Sequence, residues 1–520
     1  MGAAVNWDPY NPEYFADPYP VFRRLREEAP VYYNEEHDFY ALSRYEDVAH
    51  ALQDFETFSS ARGDILEFIK VGQEMPAGVF IMNDPPVHTA YRGALTRIFT
   101  PKKMSALEPQ IRAFLSASLD PLVEEGAFNF ITHIGKDMPM RVIGMLLGIP
   151  EEDLKTVQHN ADSRLETEEG KPIDLSGAEF GDDSMAYFIQ EGFGDYIDWR
   201  AKNPSDDLMT EFLNIEFTDE KGETRKFKRD EILTICAILA GAGNETTNRL
   251  IGWTGKVLAE HPDQRRRVYE DRSLIPQTIE EVLRFEPPGP SVARYVAKDT
   301  EMHGVTIPKG SAVCLLVASG NRDDRKFERA EEFDVNRQRS PHLTFGYGFH
   351  SCLGNALARV EGRVALDEIL NRFPEWDVDL ANASLSCTST VRGWETLPAY
   401  APHAVRPSGA ASAAAADAGP KTRMEGEVWR LMVKAPMGSQ EMTMKVDRDG
   451  AAFSGGIDSP MGSEAISDGE IDGDTLRWVM KTKKPMPMTL NFEATIAGDA
   501  LSGKVKMGMF GEATLTGERL

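Results

Sequence analysis

Phe345-Gly346-Tyr347-Gly348-Phe349-His350-Ser351-Cys352-Leu353-Gly354 decides how the rest of this chain is read. Its three glycines let the backbone turn tightly and approach a flat ligand closely. An apolar pattern at helical spacing (Leu353, Ala356, Leu357, Val360) starts directly after Cys352. A thiol at the start of a helix sits in a positive field that favours the thiolate, the form that binds iron. Taken alone, a cysteine in a glycine-rich loop reads more readily as a small buried hydrophobe. The full spacing carries the argument further.

The pattern Phe-Gly-x-Gly-x-His-x-Cys-x-Gly resembles the haem-binding loop of the cytochrome P450 family. The resemblance implies Cys352 as ligand to the iron of haem b (iron protoporphyrin IX), with Phe345, Gly346, His350 and Gly354 around it. The family's other landmarks occur upstream in the expected order. Glu281-Val-Leu-Arg284 matches its Glu-x-x-Arg helix, and Arg337 stands where the family completes that pair. As a bare pattern this is an ordinary surface i, i+3 pair, worth tenths of a kcal/mol. The resemblance makes it an internal network that fixes the cysteine region.

Ala240-Gly-Ala-Gly-Asn-Glu-Thr-Thr247 lies inside a long apolar helical pattern. Two glycines in a helix interior cost roughly 1 kcal/mol each relative to alanine. Close helix packing is one reason to keep them, and room for haem and oxygen is the other. The resemblance places Ala242 and Gly243 against the haem and matches Glu245 and Thr246 to an acid–alcohol pair. Breaking the O–O bond consumes two protons; a buried hydroxyl and a carboxylate can relay them, while the thiolate pushes electron density onto iron. His88 and Arg92, one helical turn apart in Asp84-Pro-Pro-Val-His-Thr-Ala-Tyr-Arg92, match propionate partners, as do Arg294 and His350.

The resemblance runs from about Asn6 to about Ala401, with small departures at Ser319-Gly320 and Asp324. It implies a mainly α (α+β) cytochrome P450 fold. Helical periodicity over Met104–Val123, Arg229–Ala259 and Pro276–Phe285, with strand-like runs at Phe39–Ser43 and Ala312–Val317, agrees. The implied activity is a monooxygenase that inserts one atom of O2 into an organic substrate, with electrons from a ferredoxin and its reductase. By analogy the pocket draws on Phe68, Ile81, Leu239, Val292, Ala293 and the Phe180–Trp199 region. That apolar set suits a terpenoid, steroid or fatty-acid-like substrate, and equally an ordinary core. A haem-binding sensor, or a peroxide-driven or rearranging member, is the alternative; Glu245-Thr246 argues against both.

With 41% hydrophobic and 27% charged residues the chain reads as globular. Its formal charge is -26, yet residues 421–520 carry 13 basic and 15 acidic side chains, so the excess sits in the N-terminal part. An acidic chain is a poor nucleic-acid partner, since the phosphate term needs clustered Lys and Arg. Four scattered cysteines (Cys236, Cys314, Cys352, Cys387) suit a reducing cytoplasm, and no apolar N-terminal stretch suggests a membrane anchor.

A small-residue linker over 405–422 divides a haem domain, 1–404, from a unit over 423–520. Short alternating strands with turn signals at Asp449-Gly450, Gly473-Asp474 and Gly498-Asp499 predict an all-β antiparallel barrel or sandwich there, of about eight strands. Ala435-Pro-Met-Gly438 returns as Ser459-Pro-Met-Gly462. The unit reads as an accessory module, for binding substrate or lipid or for protein contact.

Overall fold

The computed structural model describes residues 5–75, 78–149, 194, 196–338, 340–386 and 391–405. In the C-terminal unit it describes 427–435, 438–449, 452–459, 462–473, 475–482, 488–498, 500–506 and 512–519. Most of the linker, Cys387, the Pro-Met pairs of the repeat and most of Phe180–Trp199 lie outside the described residues. The chain divides into two units, one holding the described residues up to Val405 and the other those from Glu427 on.

Five helices position the chemistry of the larger unit: α1 (Val87–Thr96), α2 (Asp137–Leu147), α3 (Arg229–Glu260), α4 (Ile275–Phe285) and α5 (Asn355–Arg372). The longest, α3, opens on Asp230 and Glu231, acidic side chains that suit the positive end of a helix. Glu231 Oε2 also accepts the Lys228 N–H at 2.7 Å. The helix stops before Pro262, whose ring disfavours helical backbone at the residue ahead of it. Met104–Val123, expected as one helix, is instead three pieces: the end of Pro101–Ser105, then Glu108–Leu119, then a 3-10 turn over Asp120–Val123. Pro109 and Pro121 each fall in the first turn of a new piece, where a missing N–H does no harm.

A five-stranded sheet flanks the helices: β1 (Val31–Asn34), β2 (Phe39–Leu42), β3 (Phe58–Ser59), β4 (Val292–Val296) and β5 (Ala312–Leu315), in the order β1-β2-β5-β4-β3. The β2–β5 pairing is parallel and the others antiparallel. Its two faces bury separate apolar sets, one with Leu42, Val296 and Val313, the other with Phe39, Ala293 and Cys314. Among the described residues no helix is long and apolar enough to cross a membrane.

The C-terminal unit is a curled antiparallel sheet of eight strands: β6 (Glu427–Ala435), β7 (Gly438–Asp449), β8 (Ala452–Ser459), β9 (Gly462–Asp472), β10 (Thr475–Thr482), β11 (Met488–Ala497), β12 (Ala500–Lys506) and β13 (Glu512–Arg519). Each pairs with the next, and β13 pairs back on β6, with Leu431 opposite Gly517. Period-two alternation sends Trp429, Leu431, Met444, Trp478, Phe492 and Leu515 into one shared interior. The Trp478 and Phe492 rings stack there with centroids 4.7 Å apart.

A buried acid joins two of the helices. Glu361 of α5 accepts the hydroxyl of Thr247 on α3 at 3.2 Å, and its other oxygen has no hydrogen-bond partner among the described residues. Burial pushes the Glu361 carboxyl up to about 8, against the opposing Thr247 bond. A carboxyl that holds its proton more tightly folded than unfolded contributes most below its unfolded value, 4.5, and progressively less as pH rises toward 8. Glu361→Gln is therefore expected to flatten the fall of Tm between about pH 5 and 8, which for one such group approaches roughly 1.4 kcal/mol per pH unit. Thermal unfolding followed by circular dichroism across that range checks it; parallel wild-type and variant curves would contradict the assignment.

Candidate functional site

The cysteine loop is a short span between β5 and α5 whose turns need glycine. Gly346 and Gly348 have φ of 69° and 73°, backbone that L side chains rarely adopt. The loop closes on itself through the Cys352 N–H, which donates to the Phe345 carbonyl at 2.7 Å. Burial pushes the Cys352 thiol up. The Gly354 N–H, the cations of Arg92 and Arg359, and the Asn355 N–H pull it the other way, as expected ahead of a helix N-terminus.

Glu281, Arg284 and Arg337 form one buried network. Arg284 holds Glu281 through two bonds of 2.8 Å and also donates to the carbonyls of Asn321, Ala330 and Glu332. Arg337 Nε reaches Glu281 Oε1 at 2.9 Å, and the Asp334 N–H donates to the same oxygen at 3.0 Å. One carboxylate of α4 thereby ties down the stretch that leads into the cysteine loop. Sequence reasoning did not single out its neighbour, Glu280. Glu280 receives Arg359 at 2.6 and 3.1 Å and lies 3.3 Å from His342 Nε2. Burial pushes Glu280 up, but the His342 and Arg359 bonds outweigh it and hold the carboxyl down at about 2.

On the other side of the loop the structure brings four expected residues together. The His88 and His350 rings meet with centroids 4.2 Å apart. Arg92 donates to the Ser351 carbonyl. The guanidinium of buried Arg294 donates to the Ala293 carbonyl at 2.7 Å, its one side-chain hydrogen bond among the described residues. Burial, Arg294, His88 and Arg92 together push His350 down to about 2, while burial and Arg92 push His88 down to about 4. Both ring nitrogens of His88 and the Nε2 of His350 are buried with no hydrogen-bond partner among the described residues. Asp64 and Asp84 act on Arg294 through space without hydrogen-bonding to it, and the unpartnered histidine nitrogens are costly to bury, so the cluster has room for a further anion.

Thr246 donates its hydroxyl proton to the Ala242 carbonyl at 2.7 Å, which leaves its oxygen free to accept. Glu245 Oε1 accepts from Arg249 Nη2 at 3.0 Å. Arg249 is a second residue that sequence reasoning missed. Its guanidinium also donates to Ser386 Oγ at 2.8 Å, to the Trp394 carbonyl and toward Glu395 at 3.4 Å. A full charge at a buried position of an apolar helix was the available signal.

The glycines of α3 divide their work. A Cβ on Gly241 would meet nothing within 4 Å, whereas one on Gly243 would lie 2.7 Å from Ile143 of α2, so Gly243 permits close helix packing. Ala242 is exposed. A Cβ on Gly354 would likewise meet nothing within 4 Å. Of the expected pocket residues, Phe68, Ile81, Leu239 and Val292 are half-buried. Ala293 lies apart in the sheet core beside Cys314, because adjacent strand residues point to opposite faces.

Similarity to known proteins identifies the family and the fold. The family model described as "Cytochrome P450" matches residues 182–384. Cytochrome P450 130 of Mycobacterium tuberculosis is 34% identical over 402 residues, covering 74% of this chain and 95% of that protein. The chain belongs to the cytochrome P450 family. Among solved structures, cytochrome P450 CYP109Q5 from Chondromyces apiculatus superposes with a TM-score of 0.66 at 31% identity, covering 76% of this chain and 98% of the other. CYP109E1 from Bacillus megaterium, solved in complex with testosterone, gives 0.65 at 27% identity, covering 75% and 99%. The larger unit thus has the P450 fold, and this P450 is a haem-thiolate monooxygenase that uses O2 and electrons from a redox partner.

The residues present fit a haem. Open backbone at Gly241 and Gly354 suits a flat group, and the unpartnered nitrogens of His88 and His350 with buried Arg294 and half-buried Arg92 suit its two carboxylates. Arg294→Gln is expected to speed haem loss roughly tenfold, the order of one charge-assisted hydrogen bond. Haem transfer to excess apomyoglobin measures it; an unchanged rate would remove Arg294 from the anion site.

Proposed function

We propose that this P450 oxygenates a small lipophilic substrate of the terpenoid, steroid or fatty-acid class, with Cys352 as the iron ligand of haem b and a ferredoxin with its reductase as electron source. The observation that carries the haem placement is the cluster of unpartnered His88 and His350 nitrogens beside buried Arg294, adjoining the loop of Cys352. In this reading His88, Arg92, Arg294 and His350 hold the propionates, and Phe345, Gly346 and Gly354 lie against the macrocycle. Bound there, haem supplies an iron centre that activates O2 and transfers one oxygen atom to the substrate.

The chain's own residues move the protons. Thr246, its hydroxyl proton committed to Ala242, accepts a hydrogen bond from a donor on the oxygen side and holds it in line. Glu245 relays protons from solvent, with Arg249 fixing its carboxylate. Glu281, Arg284 and Arg337 hold the approach to the cysteine loop rigid. Phe68, Ile81, Leu239 and Val292 give the substrate side an apolar character, and the testosterone complex of the similar CYP109E1 is consistent with a lipophilic ligand. The Glu245-Thr246 pair favours an oxygenase over a haem sensor or a peroxide-driven or rearranging member, since neither alternative needs protons delivered to dioxygen.

We take residues 1–404 as the haem domain, 405–422 as linker and 423–520 as a β-domain. The return of β13 onto β6 supports reading that domain as a closed barrel. Its interior is occupied by Trp429, Met444, Trp478 and Phe492, which favours a contact module over a carrier of lipid or substrate. The thiols of Cys236 and Cys314, which form no disulfide, accord with a cytoplasmic setting.

A panel of steroids, fatty acids and terpenoids, read as a spin-state change in the haem spectrum, tests the substrate class, and Thr246→Ala tests the proton role. The variant is expected to keep the spectral response of the wild type while product per electron consumed falls several-fold. No response from any lipophilic class would contradict the substrate reading, and an unchanged product yield would contradict the role of Thr246.

A further inference from the structure

Three side chains connect a surface-facing part of α4 to the cysteine in an unbroken line. Arg359 of α5 is gripped by Glu280 of α4 through Nε and Nη2, at 2.6 and 3.1 Å. Its third nitrogen, Nη1, donates to Asn355 Oδ1 at 2.8 Å, and Asn355 Nδ2 donates to the Cys352 carbonyl at 2.6 Å. The guanidinium also lies 4.3 Å from the centroid of the Phe345 ring, whose residue accepts the Cys352 N–H. The line therefore meets the loop from both sides of the cysteine.

We propose that the Glu280–Arg359 ion pair sets the electron-donating strength of Cys352, acting through Asn355 as a charge-balanced relay. Glu280 and Arg359 are positioning residues in this role, since neither touches the thiol. Two effects act in the same sense. Arg359 polarises the Asn355 amide, so that its N–H draws more strongly on the Cys352 carbonyl. Its positive charge, in surroundings less polar than water, also stabilises negative charge at the sulfur and favours adding an electron to the group bound there. Glu280 supplies the opposite charge and cancels most of that field. The pair thus holds the ligand between a thiolate that donates too weakly and one that donates too strongly.

A purely structural clamp would not distinguish the two charges, whereas an electrostatic one must. The reduction potential of the haem-loaded full-length chain is measured by spectroelectrochemical titration for wild type, Glu280→Gln, Arg359→Gln, Arg359→Lys and the double Gln variant. Glu280→Gln, which leaves the cation unbalanced, is expected to move the potential upward. Arg359→Gln is expected to move it downward, the double variant to fall between them near wild type, and Arg359→Lys to lie above Arg359→Gln. Single variants that shift in the same direction, or a potential that neither moves, would overturn the relay. Where Arg359→Gln fails to retain haem, an upward shift in Glu280→Gln supports the proposal and no shift refutes it. The inference rests on Cys352 being the iron ligand, and the two fail differently. A wild-type carbon monoxide complex without a thiolate-type Soret band sinks the ligand assignment, whereas that band with unmoved potentials sinks only the relay.

Discussion

A sulfur anion placed inside a protein must be balanced by positive charge and hydrogen-bond donors that are themselves fixed, because a buried charge left to itself would simply take up a proton. Most of what is distinctive in the larger unit follows from that constraint. The donors come from the start of α5, where the N–H groups of Gly354 and Asn355 face Cys352, and from the guanidinium groups of Arg92 and Arg359. Each of these cations is held in turn, Arg92 by the Ser351 carbonyl and Arg359 by Glu280. Two adjacent carboxylates of α4 act on opposite flanks of the loop. Glu281 organises Arg284, Arg337 and the stretch before it, and Glu280 organises Arg359 after it.

The opposite side of the loop has the complementary imbalance. There Arg294, Arg92, His88 and His350 gather with no carboxylate hydrogen-bonded to any of them among the described residues, although Asp64 and Asp84 act on Arg294 through space, and the histidines are driven toward neutrality. In the proposed placement a haem would carry what each side lacks, a metal for the thiolate and carboxylates for the cations, so that one ligand would complete both. Beside Thr246, helix α3 contributes little unbalanced charge. Its Glu245 is already paired with Arg249, and its Thr246 hydroxyl proton is already committed to Ala242.

The sequence made part of this legible for reasons that can be named. The cysteine loop was readable because its glycines are demanded by local backbone, at Gly346 and Gly348, and local demands leave local patterns. The extents of α3 and α4 were readable from apolar spacing. The Arg359–Glu280 contact was not, since it depends on how α4 and α5 approach, and a charged pair far apart in sequence leaves no periodic trace. Gly243 shows the limit from the other side. The pattern offered haem contact or helix packing, and the position of Ile143 of α2 accounts for the packing while Gly241 meets the open space. Val292 and Ala293 were expected to line the pocket together, yet strand alternation sends the alanine into the sheet core. The β-unit was legible as strands and turns, but what its packed interior serves is written in no motif.

The central claim is that Cys352, as a thiolate, is the ligand that completes this site, and the carbon monoxide difference spectrum of the reduced protein tests it most directly. The account predicts the long-wavelength Soret band of a thiolate-ligated haem in the wild type and its loss in Cys352→Ala. A band at the position typical of histidine-ligated haem, or a long-wavelength band that survives the substitution, would contradict it.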